Sequence, residues 1–141
     1  MAALYPSNEW CEEWKKAINN SERCAEKGKN WGADFNGNWV FELTPSGGLT
    51  KTTYVYLGAK DGKCTDARLL NDPSEADAGF YAVGPYEEYK KVVKGEKDFI
   101  EGMVRGIFKL RGDMSKIMRN AQFIRAVADS ISAFEAEYLG E

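Results

Sequence analysis

The sequence predicts an α+β fold, in which one antiparallel-dominated sheet of five strands is covered mainly on one face by helices. Three consecutive segments between residues 39 and 70 show the side-chain period of two that is typical of strands. Short turns join these segments, so the strands should run antiparallel. Segments with helical periodicity stand before and after them. The length of 141 residues favours a single domain, residues 1–141, with one hydrophobic core.

The N-terminal segment predicts a helix with a buried aromatic stripe. Ser7 is suited to cap a helix that ends near Asn19. Trp10 and Trp14 lie four residues apart on this helix, and so they should share one face, where we expect both in the core. A second, shorter helix or capped turn should end near Gly28.

The central segment predicts a meander of three strands. Trp39, Phe41 and Leu43 fall on one face of the first strand, and the second strand begins near residue 53. Asp61-Gly62 is typical of a two-residue type I′ turn, because both residues tolerate positive φ. That turn leads into a third strand over residues 63–70.

The remaining segment predicts a short strand over residues 79–83, two short helices, a last strand and a closing helix. Pro85 fits the first position of the first short helix, and Asp98 fits the cap of the second. Asp113 follows the last strand and should cap the closing helix. We expect that helix to run as one long element through residue 134.

The closing helix carries more apolar surface than packing on a sheet requires. One stripe alone would suffice, and it consists of Met114, Ile117, Met118, Ala121, Ile124, Ala128 and Ile131. Phe123, Val127, Phe134 and Tyr138 then widen the apolar arc past half of the circumference. So wide an arc indicates burial on two sides, against neighbouring helices, a partner chain or a ligand cavity.

Composition argues against several classes of function. The net charge is −3 with interspersed signs, whereas proteins that bind a phosphate backbone usually carry a basic field, so we expect no nucleic-acid partner. The chain has no histidine, which removes imidazole-based nucleophile activation and imidazole metal sites. The paired carboxylates, such as Glu87-Glu88, are adjacent and do not face one another on a helix. We therefore expect no enzyme, no catalytic residue, no metal and no cofactor.

The cysteine pattern and the hydropathy indicate a cytoplasmic protein. Cys11, Cys24 and Cys64 are widely spaced, odd in number and form no C-x-x-C pair, so we expect free thiols in a reducing compartment. No apolar run is long enough to span a membrane, and the start lacks the features of a secretory signal. The last residues, "EYLGE", match no peroxisomal or retention tag.

Four segments in the same order carry a resemblance to a known family. They are "EWCEEWKKAINNSERCAEKGKNWGADFNGNWVFEL" near the start, "TYVYLGAKDGKCTDARLL" at residues 53–70, "GPYEEYKKVVKGEKDFIEGMVRG" at residues 84–106 and "GIFKLRGDMSKIM" at residues 106–118. The last of these joins a strand, a Gly-Asp break and a helix start. In these segments the chain resembles the sterol carrier protein family, of the non-specific lipid-transfer type, in its stand-alone prokaryotic form.

The resemblance implies five strands in one sheet, helices over it and an apolar tunnel between them. It also implies non-catalytic binding, with intracellular transfer, of a lipidic ligand: a fatty acid, an acyl-CoA, a phospholipid or an isoprenoid. Membrane contact would be transient at most. The alternative is a protein-interaction or dimerisation module, with a homodimer among its forms, that presents lipid to a partner enzyme.

We place the lipid-binding residues between the helix-facing side of the sheet and the helices. The principal candidates are Met103, Val104, Phe108, Leu110, Met114, Ile117, Met118, Ala121 and Ile124. The secondary candidates are Trp39, Phe41, Phe80, Tyr86 and Phe99. Each of these residues also fits an ordinary core position. Arg111 and Arg125 could hold an acidic head group or could be plain surface residues.

Overall fold

The computed structural model describes residues 2–141 and confirms the predicted α+β class, with a sheet that is mostly antiparallel. The strands are β1 (Ala3–Tyr5), β2 (Trp39–Thr44), β3 (Thr53–Lys60), β4 (Lys63–Leu70), β5 (Phe80–Pro85), β6 (Lys109–Arg111) and β7 (Ala136–Tyr138). The helices are α1 (Asn8–Asn19), α2 (Glu22–Lys27), α3 (Tyr86–Val93), α4 (Phe99–Val104), α5 (Met114–Arg119) and α6 (Ala121–Asp129). Single 3₁₀ turns occupy Pro73–Glu75 and Ser130–Ala133. No helix in the described part of the chain is long and apolar enough to cross a membrane.

The main sheet has the strand order β4-β3-β2-β5-β6. Strands β2, β3 and β4 form the predicted antiparallel meander, and the hairpin between β3 and β4 turns at Asp61 and Gly62 with positive φ at both residues. The pair β2–β5 is parallel, because the connection after β4 crosses from the sheet edge back to the other side of β2. Sequence did not predict the small second sheet, in which β1 pairs in parallel with β7.

The inner face of the main sheet packs against the helices. Phe41 lies opposite Val55 on one neighbouring strand and opposite Ala82 on the other, and all three side chains point to this inner face. The indole of Trp14 on α1 lies 6.1 Å from the Phe41 ring, which places α1 over the same face. One layer of helices on one side of the sheet therefore encloses the core.

A row of five aligned residues crosses the outer face of the same sheet: Arg68, Tyr56, Val40, Tyr81 and Arg111. Each arginine at an end of this row lies over the adjacent tyrosine ring, at 5.4 Å for Arg68 over Tyr56 and 4.7 Å for Arg111 over Tyr81. The outer face is therefore covered by the chain's own stacked side chains.

The predicted helix caps are present. The Ser7 side chain accepts a hydrogen bond from the Trp10 amide at 3.0 Å, and Asp98 accepts one from the Glu101 amide at 3.2 Å. Asp113 likewise accepts a hydrogen bond from Ser115 N at 2.9 Å at the start of α5. The start of α3 was predicted one position too early, since Pro85 ends strand β5 and is the residue before the helix.

The prediction of one long closing helix is wrong. The helix is interrupted at Asn120, whose φ of −114° and ψ of 27° leave the helical region, and this residue separates α5 from α6. The Asn120 side-chain amide donates to the Lys116 carbonyl at 2.8 Å, and the Asn120 backbone amide donates to the same carbonyl at 3.2 Å, so the residue holds the end of α5 through both groups. Phe134 and Tyr138 also lie outside the helix, since Tyr138 belongs to β7. The predicted stripe is therefore split between two helix directions.

Candidate functional site

An apolar cavity of about 70 Å³ lies between the inner face of the sheet and the helices. Its sheet side consists of Trp39, Phe41, Val55, Leu57 and Ala59. Its helix side consists of Trp10 and Trp14 of α1, Tyr89, Val92 and Val93 of α3, Phe99 of α4, and Phe123, Ile124, Val127 and Ala128 of α6. Tyr5 and Ile131 complete the lining. The cavity is therefore surrounded by apolar and aromatic side chains from every layer of the fold.

Phe41 is the centre of the aromatic framework around the cavity. Its ring stacks on Trp39 at 5.4 Å and meets Phe99 at 5.8 Å and Tyr89 at 6.2 Å. The Tyr89 hydroxyl donates to the Ala82 carbonyl at 2.6 Å, so its polar atom is satisfied while its ring lines the cavity. These contacts hold strand β2 against α3 and α4 and fix the shape of that wall.

Three further aromatic side chains of the lining, two indoles and one phenol, carry a polar atom. Trp14 Nε1 donates to the Val127 carbonyl at 3.2 Å and ties α1 to α6. Trp10 Nε1, one helical turn away, is buried and has no hydrogen-bond partner among the described residues. The ring of Tyr5 packs edge-on against Trp10 at 4.6 Å. Burial raises the pKa of the Tyr5 hydroxyl well above its ordinary value, so this group stays protonated.

An open groove of about 690 Å³ lies next to the cavity on the molecular surface. Both spaces are lined by the same five residues: Val92, Val93, Phe99, Ala128 and Ile131. A single layer of small and medium-sized apolar side chains therefore separates the interior from the groove. Phe134 and Tyr138, from the C-terminal segment, form the opposite part of the groove.

The charged side chains of the groove are already paired with one another or with neighbours. Arg125 contacts both carboxylate oxygens of Asp98, at 3.2 Å and 3.1 Å. Lys97 binds Glu88, and Lys94 binds Glu141. Asp129 binds Arg23 at 2.7 Å, and Glu96 adds one more carboxylate to the lining. The groove therefore presents mixed charge in place of a cationic field.

The three cysteines do not line the cavity, and all of them are free, buried thiols. Burial raises the pKa of Cys11 to about 12 and that of Cys64 to about 11. Burial also raises the pKa of Cys24. Because the thiolate is the nucleophilic form, these groups are held in the unreactive state.

Among the sequence-predicted residues, Trp39, Phe41, Phe99 and Ile124 line the cavity. Five others are buried in the core away from it: Phe80, Tyr86, Met103, Phe108 and Ile117. Leu110, Met114 and Ala121 are half-buried and pack on the outside of that core. The inner wall is thus built chiefly by β2, β3, α3 and α6, and not by β6 and α5.

Two predicted lining residues lie on the surface, and neither arginine has a free guanidinium in an acid-binding pocket. Val104 is 64% exposed and Met118 is 51% exposed, because α4 turns its Met103 side inward and α5 turns its Ile117 side inward. Arg111 stacks on Tyr81 on the outer face of the sheet. Arg125 does line the groove, but its guanidinium is already bound by the Asp98 carboxylate.

The sequence contained a signal for several residues that the candidate set omitted. Phe123 and Val127, which made the closing arc too wide for one-sided packing, both line the cavity. Tyr89, Val92 and Val93 form an amphipathic stripe in the sequence, but periodicity does not identify what that stripe contacts. Val55 and Leu57 carried no distinguishing signal, because alternation predicts which residues share a face but not which face meets a void.

No family model matches the chain, and no curated protein matches it. Solved structures do match. A sterol carrier protein 2 crystal structure has a TM-score of 0.79 and 20% identity, covering 91% of this chain and 97% of its own. A conserved hypothetical protein of Thermus thermophilus has a TM-score of 0.80 and 16% identity, covering 100% and 97%. Sterol carrier protein 2 of Yarrowia lipolytica, in its apo form, has a TM-score of 0.58 and 17% identity, covering 93% and 98%. The chain therefore has the sterol carrier protein 2 fold, as the sequence resemblance predicted.

Proposed function

We propose that this chain, on the sterol carrier protein 2 fold, binds a lipidic molecule in the apolar cavity and carries it without covalent chemistry. The observation that supports the proposal most directly is the cavity with aromatic and aliphatic walls, separated from an open groove by one side-chain layer. Sites for small apolar ligands are concave, mostly apolar and supplied with few polar groups. This cavity has that character.

The physical basis of binding would be burial of hydrocarbon. Each methylene that leaves water contributes about 0.8 kcal/mol, so a fatty chain needs no catalytic or charged group to bind tightly. Aromatic walls such as Trp39, Phe41 and Phe99 supply large contact area at low conformational cost. The buried, protonated cysteines and the absence of histidine in the sequence support a carrier over an enzyme.

The size of the cavity adds a requirement to this proposal. A cavity of about 70 Å³ is smaller than the roughly 150 Å³ that an engineered protein cavity offers to benzene. A lipid chain must therefore enlarge the space as it enters. The layer shared with the groove, which includes Val92, Ala128 and Ile131, is where side chains can move outward into existing space.

The alternative of an interaction module rested on the wide apolar arc of the closing segment. Phe123 and Val127 of that arc are buried inside the chain and line the cavity, whereas Phe134 and Tyr138 are half-buried and line the groove, so only part of the arc reaches the surface. We therefore favour binding of the lipid within a single chain. The chain would then transfer the lipid between membranes through transient contacts.

Two measurements test the proposal. Native mass spectrometry of the purified protein should show co-purified lipid or, after delipidation, one added lipid per chain. A fluorescent fatty-acyl probe should bind saturably and be displaced by unlabelled single-chain lipids. Absence of saturable binding for fatty acids, fatty alcohols, acyl-CoA and lysophospholipids alike would contradict the proposal.

A further inference from the structure

We infer that residues 103–119 form a docking surface for a lipid bilayer that contains anionic phospholipid. This segment, called here the β6 edge, comprises the C-terminal end of α4, the strand β6 and the helix α5. The inference rests on the proposed function, since a carrier that exchanges its ligand with membranes has to meet them. It adds which side of the molecule makes that contact and which lipid head groups attract it.

The β6 edge is basic, although the chain as a whole is acidic. It contains five basic residues and one acidic residue, Asp113, so its net charge is +4. Subtracting this charge from the −3 of the whole chain leaves −7 for all the other residues together. The basic residues are Arg105, Lys109, Arg111, Lys116 and Arg119. Clusters of about four to eight Lys and Arg residues are typical of segments that bind anionic lipid head groups.

Most of these cations have no carboxylate partner. Lys109, Arg111 and Arg119 are exposed and form no ion pair with any residue from 2 to 141. The other two bind the neighbouring carboxylates of Glu101 and Asp113, through exposed or half-exposed side chains, where such pairs contribute little. By contrast, the three cations of the groove are all paired. The β6 edge therefore holds the cations that are available to an anionic surface.

The β6 edge also carries exposed apolar side chains. Among the described residues, three large apolar side chains are exposed, and two of them, Val104 at 64% and Met118 at 51%, belong to this segment. A phosphate backbone of nucleic acid would attract the cations but would offer nothing to these two side chains. Apolar side chains beside Lys and Arg are typical of protein segments that lie in the interface of a bilayer. The combination therefore favours a membrane.

The fold brings these side chains to one edge of the molecule. Strand β6 is the last strand of the sheet, so its outer side pairs with no other described strand. Helix α4 ends at Val104 and α5 begins at Met114, so short turns join both helices to β6, and both helices also contact α6. Because Arg111 aligns with Tyr81, it points to the outer face of the sheet, as does Lys109 two residues earlier. Cations and exposed apolar side chains therefore flank one free edge.

A surface depression of about 240 Å³ connects the β6 edge with the groove. It is lined by Arg105 and Ile107 of the β6 edge, by Glu101 and Gly102, and by three residues that also line the groove, namely Glu96, Lys97 and Asp98. Arginines already bind Asp98 and Glu101, which leaves Glu96 as the one carboxylate of this lining without an ion pair among residues 2–141. A lipid that left the cavity by way of the groove would therefore emerge beside the bilayer.

Co-sedimentation of the whole chain with vesicles tests the inference. One set of vesicles consists of phosphatidylcholine alone, and the other of equal parts of phosphatidylcholine and phosphatidylserine. The wild-type chain should bind the second set about tenfold more tightly or better. Binding should weaken as salt rises from about 0.1 M to about 1 M, because the screening length falls from about 10 Å to about 3 Å. Equal affinity for the two sets of vesicles would overturn the inference.

A charge-reversal variant locates the contact. Lys109→Glu with Arg119→Glu replaces two unpaired cations of the β6 edge and should weaken binding to the phosphatidylserine vesicles about tenfold or more. The matched control is Lys29→Glu with Lys51→Glu, which changes the net charge equally at two exposed lysines outside the β6 edge that also form no ion pair among residues 2–141. The control should retain most of the binding. An equal loss in both variants would show that net charge, and not this surface, attracts the bilayer.

A second pair of variants tests the apolar contribution. Val104→Gln with Met118→Gln makes both exposed apolar side chains of the β6 edge polar and should weaken vesicle binding about fivefold. Leu4→Gln is the control, because Leu4 is the third exposed large apolar side chain and lies on β1. Its binding should equal that of the wild type. A loss with Leu4→Gln as large as that with the double variant would overturn the assignment.

Two further measurements separate this inference from the proposed function. Without vesicles, Lys109→Glu with Arg119→Glu should bind a fluorescent acyl probe as the wild type does, since neither residue lines the cavity. Vesicle binding without probe binding would contradict the proposed function and leave the docking surface in place, whereas probe binding without preference for phosphatidylserine would do the reverse. Tighter binding to a duplex DNA oligonucleotide than to the phosphatidylserine vesicles would also overturn the inference.

Discussion

Ala128 occupies the position where one small side chain separates the groove from the cavity. An indole at this position should fill the passage and part of the cavity. We expect Ala128→Trp to reduce lipid binding at least tenfold, as measured by displacement of a fluorescent acyl probe. Circular dichroism and thermal unfolding should show that the fold is retained.

Met118→Trp is the control for Ala128→Trp, because it adds a similar side chain to the same C-terminal part of the chain. Sequence periodicity predicts that Met118 lines the lipid site, whereas the structure has it 51% exposed on α5. Lipid binding by Met118→Trp should therefore equal that of the wild type. A loss of binding in this variant, with Ala128→Trp unaffected, would assign the ligand to the α5 side.

The candidate residues that line the cavity are those whose alternation or stripe happens to face it. Phe41 shares its strand face with Trp39, and both were assigned to the inner side, where they line the cavity. Phe108 and Ile117 were also assigned inward and are buried, but they meet other side chains instead of the void. Period indicates which residues share a face of a strand or helix. It does not distinguish a filled interior from an empty one, since that depends on the summed volumes of side chains that are distant in sequence.

At the scale of elements, the break at Asn120 determines which side of the closing segment meets the cavity. A continuous helix would place Met114, Met118 and Ile124 on related faces, and the break lets α6 direct Phe123, Ile124 and Val127 inward independently of α5. Sequence reasoning missed the break because Asn is tolerated in helices. The local feature that marks the break is the Asn120 side chain, which donates to the Lys116 carbonyl beside the Asn120 backbone amide.

The variant Asn120→Ala tests whether the Asn120 side chain maintains the break between α5 and α6. The change removes the side-chain hydrogen bond to Lys116 and favours a continuous helix that the packed core cannot accept. We expect the free energy of unfolding to fall by about 1 kcal/mol, measured by urea denaturation. Gln122→Ala, at an exposed position of α6, should leave it unchanged. A stability gain in Asn120→Ala would show that the break is not maintained by this side chain.

The C-terminal segment is a second element whose attachment can be tested. It is held to α3 by a hydrogen bond from the Leu139 amide to the Tyr86 hydroxyl at 2.9 Å and by ion pairs from Lys90 and Lys94 to Glu141. These two lysines hold the pKa of the Glu141 carboxyl below its ordinary value of 4.5. A lowered carboxyl pKa means that the contribution is complete above pH 4.5 and is lost as the pH falls through the folded-state value.

In a carboxyl NMR titration, the midpoint of Glu141 should therefore lie below 4.5 in the wild type. It should return toward 4.5 in a Lys90→Gln, Lys94→Gln double variant, because both cationic partners have gone. An unchanged Glu141 midpoint in the double variant would contradict the assigned ion pairs.

At the scale of the whole molecule, lipid binding and stability should be linked. A ligand that binds only the folded chain stabilises it by about 2.7 kcal/mol at a concentration of one hundred times its Kd. For a domain of this size, that corresponds to a rise in unfolding temperature of roughly 5–10 °C. Differential scanning calorimetry with a saturating single-chain lipid measures the shift. Ala128→Trp should show little shift at the same lipid concentration, and an equal shift in both proteins would place binding outside the cavity.

The overall architecture could be predicted from sequence to a greater extent than the site. Caps at Ser7, Asp98 and Asp113 and the Asp61-Gly62 turn are local signals, and each gave an element boundary that the structure confirms. The pairing of β1 with β7 joins residues more than a hundred positions apart, and nothing local indicates it. The cavity depends even more on residues that are distant in sequence, since strands, helices and the segment around Tyr5 all contribute to its lining.

The stacked arginines on the outer face affect how the molecule could expand when a ligand enters the cavity. Arg68 and Arg111 brace Tyr56 and Tyr81 from the solvent side, on strands that are hydrogen-bonded across the full width of the sheet. Such a backing resists bending, so the strands would keep their spacing when the interior expands. A guest molecule would then be accommodated asymmetrically, by outward displacement of α3, α4 and α6 alone.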